Sequence, residues 1–326
     1  MSILRHSATF SPKTQTTVTV GTFDGVHLGH QKIIKQLVAS AKKNGSAPTL
    51  LTFDPHPRKV VQPNAFVELI QTIEERAETL ASLGLEHMVV HPFTKAFSQL
   101  SAADYVKDFL VDMLNIDQII IGYNHRFGKN RMASVEELQH YGAIYGFEVT
   151  QINAEELDNI SISSTKIRTA IAMGDVVTAH AFLGHPFTLS GTVIKGKQRG
   201  RTMGFPTANI AINHPDKIIP KNGVYAVRVR LQQKDHLGMM NIGLNPTVNG
   251  EDRSIEVHIF NWAENVYDQY IQVSLIDRIR DELKFDSLTA LQKQLEKDKQ
   301  VILTAYNTYL CKKHNYADSF VRSSTF

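Results

Sequence analysis

The 326-residue chain has one cysteine, Cys311, so no internal disulfide forms, and nothing in the composition points to an oxidising compartment. No apolar run approaches the roughly 18 residues a membrane span needs. The opening MSILRHSATF lacks the apolar core of a secretion signal. Strong charge is missing too: 35 Lys+Arg against 32 Asp+Glu leaves +3 with histidine neutral, too little for a general nucleic-acid or anionic-membrane binder. These absences predict a cytoplasmic protein whose partners are small molecules, with no nucleic acid and no membrane; they say nothing of oligomeric state.

What is present is ordinary globular material, 42% of residues in the apolar set with 19 glycines besides. At roughly 150 residues per domain the length favours two domains. Charge is uneven between the two parts. Residues 1–183 carry 16 Lys+Arg against 18 Asp+Glu, and residues 184–326 carry 19 against 14, leaving −2 and +5. Four of the second part's cations fall within seven residues, Lys195, Lys197, Arg199 and Arg201.

In the first part, short β-branched or apolar runs alternate with helical patterns. Strands are predicted at Thr17–Val20, Thr49–Phe53, Met88–His91, Gln118–Ile121 and Phe147–Ile152. Helices are predicted at Gly29–Asn44, Ile73–Leu83, Ala102–Leu114 and Val135–Tyr145, then Ser164–Met173 and Val176–Leu183. Strands separated by helices imply a mostly parallel, Rossmann-like sheet covered on both faces. Beyond Gly184 the pattern changes to Thr188–Ile194, Gly223–Leu231, Met239–Ile242, Ile255–Phe260 and Tyr270–Ile276, a small antiparallel β-barrel, followed by a terminal helical stretch from Leu288. The predicted domains are therefore residues 1–184 and 185–326.

The loop Gly21-Thr-Phe-Asp-Gly-Val-His-Leu-Gly-His30 joins the first strand to the first helix, where ligands of open parallel sheets bind. His27 and His30 are three apart, Gly29 leaves room for a bulky anion, and the helix start supplies unpaired N–H groups that favour phosphate. Half a zinc site, or a pair of surface histidines, would read the same way. A second segment, Ile162-Ser-Ser-Thr-Lys-Ile-Arg168, offers capping hydroxyls and two cations, either for a phosphate or for an ordinary capped helix with a basic face. Asp54-Pro-His-Pro-Arg58 is either a phosphate contact or a proline-stiffened loop.

In the second part, Gly204-Phe-Pro-Thr-Ala-Asn209 follows the basic loop. If extended, it points Thr207 and Asn209 the same way, as oxygen ligands for Mg²⁺ or as a polar outer face. In Ile255-Glu-Val-His-Ile259 the apolar residues alternate with Glu256 and His258, which places a carboxylate on the outer face as a general base or as simple surface.

The motifs GTFDGVHLGH, TFDPHPRKV, IGYNHRFGKNR and ISSTKIR, in that order, resemble the adenylyltransferase half of the bacterial bifunctional riboflavin kinase/FAD synthetases. Gly-x-x-x-Gly-Arg-x-x-Gly-Phe-Pro-Thr-Ala-Asn over 196–209, NIGLNPT, Glu256-Val-His and the Arg280…Lys284-Phe285 element resemble the flavokinase half. The resemblance runs from residue 20 to about 285. It implies a nucleotidylyltransferase domain followed by a barrel kinase, with Mg²⁺ as cofactor, ATP as co-substrate, and riboflavin, FMN and FAD as substrates and products. It implies that His27 and His30 act on ATP, with Thr22, Phe23, Gly29, Asn124, Ser163, Ser164, Thr165 and Arg168 binding it. In the kinase it implies ATP contacts from Gly196, Lys197, Gly200, Arg201, Gly204 and Pro206, Thr207 and Asn209 at the metal and Glu256 as base; at flavin it implies Arg58 in the first domain and Arg280 in the second. His125 stands where the family more often has Phe, and Lys195 and Lys197 where it usually has His and Asp. Two other readings compete: an adenylyltransferase for another phosphate ester with an accessory barrel, which leaves Gly204–Asn209 and Glu256 unexplained, and a nucleotide- or RNA-binding module, which would interleave aromatic and basic residues on the barrel strands.

Overall fold

The structure is a computed structural model and describes residues 2–4, 10–62, 64–123, 126–129, 132–153, 162–196, 200, 204–247 and 250–322. It divides into two compact units, Met1–Ser164 and Thr165–Phe326.

The first unit is built on a six-stranded parallel sheet in the order β1-β4-β3-β2-β5-β6. Its strands are β1 (Ser2–Leu4), β2 (Thr16–Val20), β3 (Ala47–Asp54), β4 (His87–Pro92), β5 (Ile116–Gly122) and β6 (Glu148–Ile152). The central strands are apolar at consecutive positions because both faces are covered. Leu50, Met88 and Ile120 pack beneath α1 (Leu28–Asn44) and α3 (Ile73–Ser82). Leu51, Val89 and Ile119 face Tyr105, Val106 and Leu110 together with Val135 and Leu138 of α5 (Val135–Tyr145). Helix boundaries follow local chemistry. The side chain of His27 caps α1, Gly45 ends it in the left-handed region at φ 71°, and Thr72 and Glu75 form a reciprocal capping box on α3. The short α2 (Pro57–Val61) follows β3.

Several features differ from the sequence expectation. The helix expected over Ala102–Leu114 begins as α4 (Ala102–Asp104) and continues as a π-helix, Tyr105–Met113, which a 3.6-residue period does not signal. Strand β1 was not expected; its three residues pair in parallel with β4 alone at the sheet edge. In the second unit, Ala208–Ile212 is a full strand.

That second unit contains α6 from Thr165 onward (the helix spans Ser164–Met173) and α7 (Val176–Leu183). A closed barrel of order β10-β11-β8-β7-β12-β9 follows. Its strands are β7 (Thr188–Ile194), β8 (Ala208–Ile212), β9 (Gly223–Leu231), β10 (Lys234–Thr247), β11 (Gly250–Ile259) and β12 (Tyr270–Arg280). Tyr225, Val227, Met240, Val257, Val273 and Leu275 are fully buried and fill the interior. On the outer face, Val224, Ala226 and Met239 pack with Phe205, Phe260, Leu295 and Ile302, so α8 (Leu288–Arg322) covers this side.

Candidate active sites

In the first unit the strand order turns back at β2, with β3 on one side and β5 on the other, so the crevice for a ligand opens where β2 ends. The loop leaving β2 is tightly folded, with Phe23 at φ 46°, Gly25 at 87° and Val26 at 37°. Asp24 anchors it from below. Its carboxylate is 1% exposed, accepts the backbone N–H groups of Ile70 (3.1 Å) and Gln71 (3.0 Å), and lies 3.6 Å from the Arg76 guanidinium. Arg76 in turn donates to Thr52 and to the carbonyl of Gln71. The Ser164 hydroxyl donates to the Asp24 carbonyl (3.1 Å), and the Thr22 carbonyl accepts from Thr52.

On this base His27 and His30 stack, ring centroids 3.7 Å apart and 17° from parallel, with Phe23 4.6 Å from His30. The backbone N–H of His30 donates to His27 Nδ1 (3.3 Å), so in neutral His27 the proton sits on Nε2, a donor available to an anion. A Cβ at Gly29 would lie 3.3 Å from the His27 ring, so a larger residue there would crowd the imidazole. Burial is the main cause holding both imidazoles below the ordinary histidine value. His27 falls to about 4 against the pull of the Asp24 carboxylate; His30 falls well below, helped by His27 and then Arg76. At neutral pH the pair is therefore uncharged and offers N–H donors at a helix start, a place that suits an anion.

Linkage follows with a definite sign. The unfolded chain takes up these protons near pH 6.5 and the native state does not, so stability is full above 6.5 and is lost as pH falls towards 4. Unfolding by urea, followed by far-UV circular dichroism, should show wild type losing about 1–3 kcal/mol between pH 7 and 4.5. His27→Asn should lose clearly less, and an equal loss in the variant would remove His27 as the cause.

Of the other expected residues, Ser163 and Thr165 are exposed, Arg168 is half-buried and Asn124 lies outside the described residues. Arg58 is exposed on α2, where its backbone N–H is capped by His56 Nδ1 (3.2 Å). Among the described residues no group of three or more His, Cys, Asp or Glu is arranged to hold a metal, so the histidine pair has no third partner there for a zinc site.

The barrel's site lies on the outer face of β8 and β11, where Asn209 is directly paired with Glu256. The Thr207 hydroxyl donates to Glu256 Oε2 at 3.1 Å. Two glycines make this possible. A Cβ at Gly196 would fall 2.0 Å from Asn209 Nδ2, so only glycine lets the amide occupy that place. At Gly200 a Cβ would fall 2.1 Å from the Phe205 carbonyl oxygen, in a loop closed by Phe205 N–H donating to the Gly200 carbonyl (3.0 Å). Gly204 takes a positive φ of 77° and Pro206 is exposed. Lys197 and Arg201 lie outside the described residues, so of the basic cluster only Lys195, which is exposed, is described. An open groove of about 410 Å³ runs beside the pair, walled by Ile194, Asn209, His214, Lys217 and Arg253 among others.

Arg280 is engaged on the protein itself. Its Nε and one terminal nitrogen clasp the Asp298 carboxylate of α8 at 2.8–3.1 Å, and its other terminal nitrogen donates to the Asp281 carbonyl. Sequence reasoning missed Asp24 with Arg76 and Arg280 with Asp298; a lone Arg76 in the apolar stripe of α3 was the one available signal. His258 shares the outer face with Glu256 as expected, but it is only 8% exposed, covered by Phe205 and Phe260.

Comparison with known proteins follows the same division. The FAD synthetase family model matches residues 10–166 and the riboflavin kinase model matches 183–306. A bifunctional riboflavin kinase/FMN adenylyltransferase of Listeria monocytogenes is 42% identical over 87% of this chain and 90% of its own length. The protein of the same name from Escherichia coli is 34% identical over 91% and 96%. A crystal structure from Streptococcus pneumoniae, described as a macrolide-efflux protein, superposes with a TM-score of 0.82 at 32% identity, over 92% of this chain and 98% of that one. Among the described residues no helix of this chain is long and apolar enough to cross a membrane. The chain belongs to the family of bifunctional riboflavin kinase/FMN adenylyltransferases.

Proposed function

We propose that the chain makes FAD from riboflavin in two steps, each in its own domain: phosphorylation by ATP to FMN in residues 185–326, and transfer of AMP from a second ATP to FMN, releasing pyrophosphate, in residues 1–184. The observation that carries this reading is the hydrogen-bonded Thr207–Glu256 pair opposite Asn209 on the barrel, a site separate from the neutral histidine pair at the start of α1. An adenylyltransferase alone has no use for the first.

In the kinase step Glu256 takes the proton from the riboflavin 5′-hydroxyl as that oxygen attacks the γ-phosphorus of ATP, the bond to the β-phosphate breaks and ADP leaves. Thr207 and Asn209 provide the hydroxyl and amide oxygens that suit Mg²⁺, and the room Gly196 leaves for the Asn209 amide fits such a donor set. The metal, when bound, neutralises phosphate charge. Gly196, Lys197, Gly200, Arg201, Gly204 and Pro206 are assigned to the kinase's ATP. In the second step an FMN phosphate oxygen attacks the α-phosphorus, and His27 Nε2–H, the His30 ring and the N–H groups of α1 hold the charge on the phosphates. Thr22, Phe23, Gly29, Asn124, Ser163, Ser164, Thr165 and Arg168 bind the same ATP, and Arg58 and Arg280 are assigned to flavin. Neither step passes through a covalent enzyme intermediate, so orientation and electrostatics carry the catalysis. With its modest net charge and single cysteine, the chain works in the cytoplasm on small molecules, without nucleic acid.

The test is chromatography of riboflavin, ATP and Mg²⁺ incubated with the chain. FMN should appear first and FAD with pyrophosphate after it. Absence of FMN overturns the kinase half, and failure to convert supplied FMN overturns the other.

A further inference from the structure

We propose that His258 is a positioning residue of the kinase: its imidazole fixes the backbone at Pro206, and so presents Thr207 to Glu256. The proposal rests on the kinase reading above.

Glu256 and His258 are two apart on β11 and point to the same outer face. His258 Nδ1 lies 2.8 Å from the carbonyl oxygen of Pro206. A carbonyl only accepts, so Nδ1 carries the proton and donates. The ring is wedged between Phe205, 5.1 Å away at 60°, and Phe260, 5.5 Å away at 57°. Burial, with Lys299 nearby, keeps the imidazole below its ordinary pKa against the pull of the Pro206 carbonyl, so the ring is neutral at pH 7 and keeps the tautomer the bond needs.

Between Phe205, anchored by its N–H on the Gly200 carbonyl, and the start of β8 the segment it holds is short of other restraints. Pro206 has no N–H to give to a strand ladder, β8 starts only at Ala208, and β8 pairs with β11 through Ala208–Val257 and Asn209–Glu256. Strand β11 therefore grips two consecutive residues from one face, Pro206 through His258 and Thr207 through Glu256. Loss of the first grip leaves Thr207 to drift, and a displacement of about 1 Å in a positioning group costs on the order of 10²-fold in rate.

Three variants of the full chain test this: His258→Phe, which keeps the packing against Phe205 and Phe260 but has no donor; His258→Asn, whose amide nitrogen takes the place of Nδ1; and His258→Ala. Steady-state phosphorylation of riboflavin is measured for each at a temperature well below its melting point, with conversion of supplied FMN to FAD as a control on the same sample. The expected result is a fall in kcat of about 10²-fold in His258→Phe with KM for riboflavin within about threefold, recovery to within about tenfold of wild type in His258→Asn, and unchanged FAD formation in both. A kcat within about threefold of wild type in His258→Phe overturns the proposal. So does a His258→Asn variant that melts like wild type yet is as slow as His258→Ala, because the hydrogen bond would then not be what matters. If wild type itself makes no FMN, it is the kinase reading that fails.

Discussion

Glu256→Ala is expected to abolish FMN formation while leaving the conversion of supplied FMN to FAD intact, and the double variant His27→Ala/His30→Ala is expected to do the reverse. For the kinase, removing a general base costs about 10²–10⁴ in kcat, equivalent to about 3–5.5 kcal/mol of barrier. Glu256 is half-buried and already accepts a hydrogen bond from Thr207, so truncation also releases that hydroxyl; Glu256→Gln keeps an acceptor for it and loses only the basicity. The two variants should therefore be similarly slow if proton transfer is the role, and Glu256→Gln should be much the faster if orientation of Thr207 is. FMN formation at the wild-type rate in Glu256→Ala would remove the carboxylate from the mechanism.

For the adenylyltransferase the loss expected from the histidine pair is at least about 10²-fold, the usual cost of removing a donor aimed at developing charge. Part of a loss in His27→Ala has another origin, because His27 caps α1 by accepting the N–H of His30, and a lost cap costs about 1 kcal/mol of stability. His27→Asn separates the two effects: the asparagine oxygen still caps the helix, but no Nε2–H remains. A slow His27→Asn enzyme with wild-type stability assigns the loss to the imidazole donor. Both reactions are followed in one chromatogram with riboflavin or FMN as the starting flavin, so each variant carries its own control for folding.

How far the sequence alone reached depended on whether a feature was local. Helices α5, α6 and α7 and strands β7 and β9 were read to the residue, because their ends are written in nearby chemistry: Gly146 and Gly184 take the left-handed conformation that ends α5 and α7, and Asp175 caps α7. Strand β10 was expected only over Met239–Ile242 but runs Lys234–Thr247. It joins β9 through Gln232 and Gln233 at φ 47° and 64°, a tight hairpin built without the Asn-Gly or Gly pair that normally announces one. In the candidate sites, His27, His30, Thr207, Asn209 and Glu256 stood out because they fall in motifs that resemble the family's; their spacing alone also fitted surface or capping residues. Asp24 with Arg76 and His258 with Pro206 did not, since each joins residues about 50 positions apart in the chain and depends on packing that no local pattern encodes.

The pair Arg280–Asp298 is the other feature of that long-range kind, and breaking it should have the largest effect on stability. Asp298 is 2% exposed and Arg280 16%. The carboxylate receives Arg280 through two nitrogens and Gln294 through its amide at 2.8 Å, and the guanidinium also lies 5.9 Å from the Phe285 ring. Together these groups pin α8 to the end of β12. Asp298→Ala leaves a mostly buried cation without its counter-ion, so the barrel should lose about 3 kcal/mol, near the lower end of such effects because Arg280 retains some water. Trp262, the chain's single tryptophan, lies in the same unit and makes fluorescence a direct monitor of that unfolding. Asp298→Asn keeps one acceptor oxygen for the guanidinium and should lose less; equal losses would mean that the remaining hydrogen bond contributes nothing without the charge. The assignment of Arg280 to flavin is tested on the same samples. An Arg280→Lys variant keeps the charge but loses the planar fork that clasps Asp298. A KM for riboflavin that rises in Arg280→Lys but not in Asp298→Asn marks a guanidinium that reaches the substrate, whereas equal shifts in the two reduce Arg280 to a clamp on α8.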